Sequence, residues 1–172
     1  MFSAKKTALA LALSAACAMP AKSQEKGVIL TYLAKTCIGL GGSPEFNSVN
    51  FSFSPGYRFD RRWFAELDVE AAVDLFRAAG DKTYRANMLL GASAGFDALH
   101  TETDRLAVVV GAGNSLRTKA WNYTYIDAGV KWTVGKGDIR FMLGTGVRRY
   151  AAHDSKFDSY WSWYIAAGFT FE

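Results

Sequence analysis

Strict two-residue alternation is the feature that most limits what this chain can become. It is sharpest from Ser159 to Phe171, SYWSWYIAAGFTF. One face reads Trp161, Trp163, Ile165, Ala167, Phe169 and Phe171, and the other Tyr160, Ser162, Tyr164, Ala166, Gly168 and Thr170. A strand so built needs an apolar medium on one side and a close-packed, mildly polar space on the other. Two tryptophans near its start and two phenylalanines at its end suit the two interfaces of a membrane.

The same period recurs upstream. Val49, Phe51, Phe53, Tyr57 and Phe59 alternate with Asn50, Ser52, Ser54, Gly56 and Arg58. Pro55 cannot donate a ladder hydrogen bond, so a bulge or local break is expected there. Trp63 to Ala71 alternates against Phe64, Glu66, Asp68 and Glu70, and Tyr84 to Phe96 against Arg85, Asn87, Gly91, Ser93 and Asp97. Leu106 to Ala112, Ile126 to Val134 and Ile139 to Val147 follow the same rule. Val28 to Leu40 fits it less cleanly, and a helix competes with a strand for VILTYLAK.

Short turns are expected at Asp60, at His100 to Asp104 and at Gly135-Lys136-Gly137-Asp138, the last with strong hairpin chemistry. Longer connections are expected after Gly41, from Leu75 to Lys82, from Asn114 to Ala120 and from Ala151 to Asp158. The sum is an all-β, antiparallel, up-and-down barrel of about eight strands, each long enough to cross a bilayer at a tilt.

Alternation does not say which face points inward. A soluble periplasmic barrel of the lipocalin kind would hold an apolar ligand inside and show the same period. The membrane orientation is favoured because the polar face is rich in Gly, Ser, Thr and Asn, with sparse charges of both signs. It is favoured also because aromatics gather at strand ends. Phe59, Trp63, Trp132, Phe169 and Phe171 would mark one rim, and Tyr84, Trp121, Tyr150, Tyr160 and Trp161 the other. The lumen would then hold Lys35, Arg58, Glu66, Asp68, Glu70, Arg85, Asp97, Arg105, Asp127, Lys131, Arg140 and Arg148. Eight strands leave room only for side chains, so these charges must pair across the interior. They would form a static plug or, alternatively, line a narrow ion or proton path.

Half of the 172 residues are hydrophobic, 15% are aromatic and 21% charged, the last below the roughly 25% usual for soluble chains. The net charge of +4 would fall to +2 on loss of Lys5 and Lys6 with a leader (4 − 2), and no later run of like charge suggests nucleic-acid binding. The leader reading rests on Lys5 and Lys6, an apolar Thr7 to Ala16 too short to span a bilayer, and the small-x-small pattern Ala16-Cys17-Ala18. It makes residues 1–23 a cleaved signal peptide, cut between Ala18 and Ser23, and 24–172 the barrel. A short buried helix and a lipid anchor on Cys17 are the competing readings. Cys37 is then the single cysteine of the mature chain, a buried thiol with no internal disulfide partner.

Little recognisable chemistry accompanies this pattern. Two histidines are too few for a multi-histidine metal site, so neither a metal nor a cofactor is expected. Gly111 and Gly113 read as close packing rather than a phosphate loop. His153-Asp154-Ser155 resembles, thinly, the His-x-Ser pair of barrel lipid A deacylases, with Asp158 or Asp154 as the acidic partner.

From Val49 to Phe171 the strand pattern, loop asymmetry and aromatic last strand resemble the small outer-membrane barrels of the OmpA, OmpX and opacity-protein type. That family usually ends on Phe, whereas Glu172 follows Phe171 here. The resemblance implies a monomeric outer-membrane protein of a Gram-negative bacterium with a structural or surface-interaction role. It implies as partners the lipid and lipopolysaccharide of that membrane, and the barrel-assembly machinery through the last strand.

Overall fold

The computed structural model describes residues 27–40, 47–78, 81–116, 122–153, 155 and 158–172; for 74–78 and 81–86 it describes the backbone alone. The leader expected over residues 1–23 lies outside them. Eight strands run in chain order: β1 (Gly27–Leu40), β2 (Ser48–Arg58), β3 (Trp63–Ala78), β4 (Asp81–His100), β5 (Asp104–Ser115), β6 (Tyr123–Val134), β7 (Ile139–Ala152) and β8 (Tyr160–Phe171). Every neighbour pair is antiparallel, and β8 pairs back onto β1 from Leu30↔Phe171 to Leu40↔Trp161, which closes the barrel. Closure leaves no edge, the condition for a sheet to sit in hydrocarbon.

The apolar alternation faces outward. Phe51, Val110, Ile126, Ile165 and Phe169 are all at least half exposed, while Asn50, Glu70, Arg148 and Ser162 on the other face are buried. A soluble carrier requires the reverse, so its apolar lining is absent from the interior. Val28 to Leu40 is a strand, its faces divided as the alternation demands: Tyr32, Ile38 and Leu40 exposed, Thr31, Lys35 and Cys37 buried. Pairing on both sides outweighs its local helical preference.

Pro55 produces a local break rather than a bulge. The β2–β3 ladder lapses at Ser54 and Pro55 and resumes in the same register, Phe53↔Val69 and then Gly56↔Glu66. The register shift falls instead in β4, between Asp97 and Leu99. Asp60 organises the β2–β3 turn by accepting from the backbone N–H groups of Arg62 and Trp63 at 2.7 and 2.9 Å. Gly137, at φ 87°, supplies the left-handed residue of the β6–β7 turn.

The connections divide as expected, with one correction. Residues 59–62, 101–103 and 135–138 join strands at one rim; residues 41–47, 116–122 and 153–159 join them at the other. The long polar connection expected over Leu75 to Lys82 is instead paired strand, from Asp74↔Arg85 to Ala78↔Asp81. Since β2 ends its pairing at Asp74 and β5 at Leu89, this hairpin extends beyond the barrel wall.

Candidate functional site

The site that alternation builds is the lumen. Inward positions place six cations (Lys35, Arg58, Arg105, Lys131, Arg140, Arg148) opposite six carboxylates (Glu66, Asp68, Glu70, Asp97, Asp127, Glu172). All but Glu172 belong to the expected set; the side chain of Arg85, also in that set, lies outside the described residues.

Toward the long-loop rim, Arg148 is the hub. Its Nη1 donates to Glu70 Oε1 at 2.6 Å, and its Nη2 and Nε donate to Asp127 Oδ2 at 2.6 and 2.9 Å. Lys35 Nζ lies 3.2 Å from Glu70 Oε2, and Asn50 Nδ2 donates to Glu70 Oε1. The guanidinium sits 4.0 Å from the centre of the Tyr125 ring. The Arg148 and Glu70 side chains are both 1% exposed, so this is a dry, bidentate pair, with Nη2 bonded to both carboxylates.

Tyrosines fill the space around this hub, and two pairs of glycines make room for them. A Cβ on Gly91 or Gly113, cross-strand partners, would strike the Tyr125 ring or hydroxyl; one on Gly129 or Gly146, also partners, would strike the Tyr164 hydroxyl. Tyr150 belongs here too, not with the interface aromatics. It is 1% exposed and meets Tyr123 edge-to-face at 4.7 Å, because it shares parity with the inward Arg148. Tyr160 stacks on it at 4.8 Å and is likewise turned away from the outside.

At mid-height Lys131 Nζ contacts both oxygens of Glu66 at 2.8 and 3.0 Å, and Thr31 donates to the same carboxylate. Asp68 accepts from Ser54 at 2.6 Å and, among the described residues, has no ion pair. These side chains border a cavity of about 70 Å³, whose other walls include Leu33, Val109 and Met142 and which is large enough for a few waters. Below it the Phe64 ring lies between Lys131 and Arg58, at 5.0 and 5.2 Å. The next void, beside Phe64 and Arg58, is only about 10 Å³.

At the short-turn rim the hub is a carboxylate. Glu172 follows Phe171, so parity turns it inward, where Arg105 donates to both its oxygens and Arg58 Nη2 lies 3.3 Å away. Arg140 Nε approaches to 3.6 Å. Burial alone would push the Glu172 carboxyl up, but Arg105, Arg58 and Arg140 together hold it below the usual range. Arg58 also pairs with Asp97 at 2.6 Å, and His100 Nδ1 is 3.2 Å from the same carboxylate. The signal for Glu172 was in the sequence: it is one residue beyond an outward Phe.

On the outside, Phe59, Trp63, Trp132 and Phe169 are exposed near the short-turn rim, and Phe171 sits edge-to-face with Tyr32 at 5.6 Å. Trp161 is exposed at the other rim. The Tyr84 side chain and Trp121 lie outside the described residues. Ten residues separate Trp161 from Phe171. At about 3.4 Å per residue and a tilt near 40°, that spans roughly 26 Å, the height of the apolar band of a membrane barrel.

The His-x-Ser pair is not assembled. His153 Nε2 lies 2.8 Å from Thr124 Oγ1, and among the described residues no hydrogen bond joins it to Ser155 or Asp158, both exposed; Asp154 lies outside them.

Fold and lumen together define a small, closed, eight-stranded barrel with an apolar exterior and an interior of mostly paired charges. Two solved structures share its architecture. The attachment invasion locus protein Ail of Yersinia pestis aligns at a TM-score of 0.50 and 16% identity, covering 87% of this chain and all of that one. The N-terminal β-barrel domain of Pseudomonas aeruginosa OprF aligns at 0.49 and 13%, with the same coverage. No family model matches the chain, and no curated sequence does.

Proposed function

We propose that this chain is an integral outer-membrane barrel, exported by its leader, monomeric, and closed to permeation by the charge-paired lumen. The interlocked lumen supports the reading most directly: hydrogen-bonded ion pairs stand at both ends with Phe64 between them, and the two voids described beside Phe64 and Lys131 are small, about 70 and 10 Å³. The role is structural, or one of surface interaction through the long-loop rim, where the β3–β4 hairpin extends beyond the barrel wall. Ail, named for attachment and invasion, is one barrel of this fold whose name points to such a surface role. The interface aromatics Phe59, Trp63, Trp132, Trp161, Phe169 and Phe171 would anchor it in lipid. The last strand would present its aromatic face to the assembly machinery.

Outer-membrane fractionation, followed by electrophoresis with and without boiling, tests this reading. A membrane band that shifts on boiling is the expected result; a soluble band without a shift refutes it. Planar-bilayer recording tests the closed lumen, which predicts no steady conductance.

A further inference from the structure

The mouth of the lumen at the short-turn rim holds more positive charge, and more N–H donors, than its carboxylates use. Arg58 ends β2, Arg105 and Arg140 are the second residues of β5 and β7, and all three guanidiniums converge on the Glu172 carboxylate. Arg105 Nη1 donates to both oxygens, Arg58 Nη2 lies 3.3 Å from Oε1, and Arg140 Nε lies 3.6 Å from Oε2. Arg58 Nη1 also pairs with Asp97, and Arg140 Nη1 donates to the Glu102 carbonyl at 3.3 Å. The Nε–H groups of all three arginines are buried and, among the described residues, make no hydrogen bond. Arg58 and Arg140 are more than nine-tenths buried, so water does not serve these donors freely. A carboxylate has too few oxygens to meet three guanidiniums; a tetrahedral oxyanion has more.

Glu172 is a displaceable occupant. The ladders of β8 end at Phe171, opposite Ile139 and Leu30, and Glu172 is tied beyond them by its N–H to the Asp138 carbonyl at 3.1 Å. Its side chain keeps 14% exposure, so rotation toward solvent frees the arginines without unpairing a strand. The charge fits as well. With Glu172 turned out, three arginines and Asp97 leave +2 (3 − 1), the complement of a phosphate dianion. His100, 3.2 Å from Asp97, adds to the positive side only when protonated, and Lys131 is already paired with Glu66. The void of about 10 Å³ beside Arg58 also borders Glu172 and adds to the room its carboxylate would vacate.

We propose that Arg58, Arg105 and Arg140 form a phosphate site, closed by Glu172 and entered from the short-turn side. Phosphate oxygens replace the Glu172 carboxylate on Arg105 and Arg58, and supply acceptors for N–H groups that the carboxylate leaves unmet. The ligand is inorganic phosphate or the terminal phosphate of a monoester, and either leaves the Phe64 layer closed above it. That the entry faces the periplasm rests on the outer-membrane reading; the site itself rests on the geometry of the lumen.

The test is calorimetric titration of the full folded barrel in zwitterionic detergent with inorganic phosphate, glycerol phosphate or acetate, each variant first checked for its heat-shift on a gel. Glu172→Gln removes the competing charge at nearly constant size, so it should bind inorganic phosphate about 10-fold more tightly than wild type. Adding Arg105→Gln to that variant should lose about 10-fold, the worth of one charge-assisted contact. Phosphate should also raise the urea midpoint of Glu172→Gln more than that of wild type. Acetate, with one charge and two oxygens, should bind more weakly than phosphate to both. Equal affinity of wild type and Glu172→Gln, no binding by either, or indifference to Arg105→Gln overturns the site. Acetate equal to phosphate overturns the choice of phosphate. Glycerol phosphate binding alongside inorganic phosphate assigns a monoester terminus, and inorganic phosphate alone assigns the free ion. Binding is read on folded protein in detergent, so its failure is distinct from a failure of membrane fractionation.

Discussion

The two ends of the lumen solve the same problem with opposite signs. Near the long loops, one arginine is shared by two carboxylates; near the short turns, one carboxylate is shared by three arginines. In the first hub the Arg148–Glu70 pair is sealed at 1% exposure, with Asp127 and Lys35 at 10–11% beside it, whereas every member of the Glu172 hub keeps 8–14% of its side-chain surface exposed. Solvation therefore decides how much each hub matters. A dry pair missing one partner leaves a charge with nothing to screen it, while a wet one is rescued in part by water. The ends also differ in balance. Among the described side chains, Lys35, Lys131 and Arg148 face Glu66, Asp68, Glu70 and Asp127, an excess of one carboxylate, and Arg58, Arg105 and Arg140 face Asp97 and Glu172, an excess of one cation.

The sharpest way to break this comparison is Arg148→Met. It strands Glu70, 1% exposed, without its bidentate partner, and barrel stability should fall by about 3–5 kcal/mol, read as a lower urea midpoint in lipid vesicles. Adding Glu70→Gln should recover part of the loss. A loss below about 1 kcal/mol for the single variant would mean that the dry layer is wetter than its geometry shows.

Glu172→Ala at the other end should cost less, about 1–3 kcal/mol, because the released arginines still reach water at the mouth. The loss should appear mainly as fraying of β8 from β7 and β1, visible as faster amide exchange near Phe169 to Phe171. Equal costs for the two hubs would remove solvation as the deciding difference.

A pH series separates the ends further. The Glu172 carboxyl is lowered in the folded state, so its contribution is complete above the ordinary carboxylate pKa and is lost as pH falls through the lowered folded value. Glu172→Gln should abolish that part of the acid limb of the unfolding curve and leave the limb above the ordinary carboxylate range unchanged. An identical acid limb in the variant would assign it to other groups.

Most of the barrel was legible because a period of two assigns each strand's faces at once, and the lumen residues follow by parity. Rank by residue type is what misled. Tyr150 was placed among interface aromatics for being aromatic near a strand end, although counting two from Arg148 turns it inward. Glu172 was read as a departure from a terminal Phe, although one step from Phe171 points it at the arginines. The β3–β4 hairpin was hidden for another reason: beyond Asp74 and Leu89 its strands pair only with each other, and alternation, the signal itself, disappears from the sequence there. Which charge pairs with which could not be read, since partners such as Arg148 and Glu70 are 78 residues apart and meet only through the closed circumference.

Between the two hubs, Lys131 offers the mildest and most discriminating change. Lys131→Ala enlarges the mid-lumen cavity and leaves Glu66 with Thr31 as its donor. If each hub seals the lumen independently, the larger cavity still ends at Arg148 above and at Phe64 and Arg58 below, and the variant should remain without steady conductance in planar bilayers. Should Lys131→Ala conduct, the ends would not be separate seals: Lys131 would be holding Phe64 in place through its contact at 5.0 Å, and the lower hub would depend on the middle of the barrel. Pairing the recording with Phe64→Ala separates these cases, since loss of the ring should open the lower half alone while Arg148 still closes the upper.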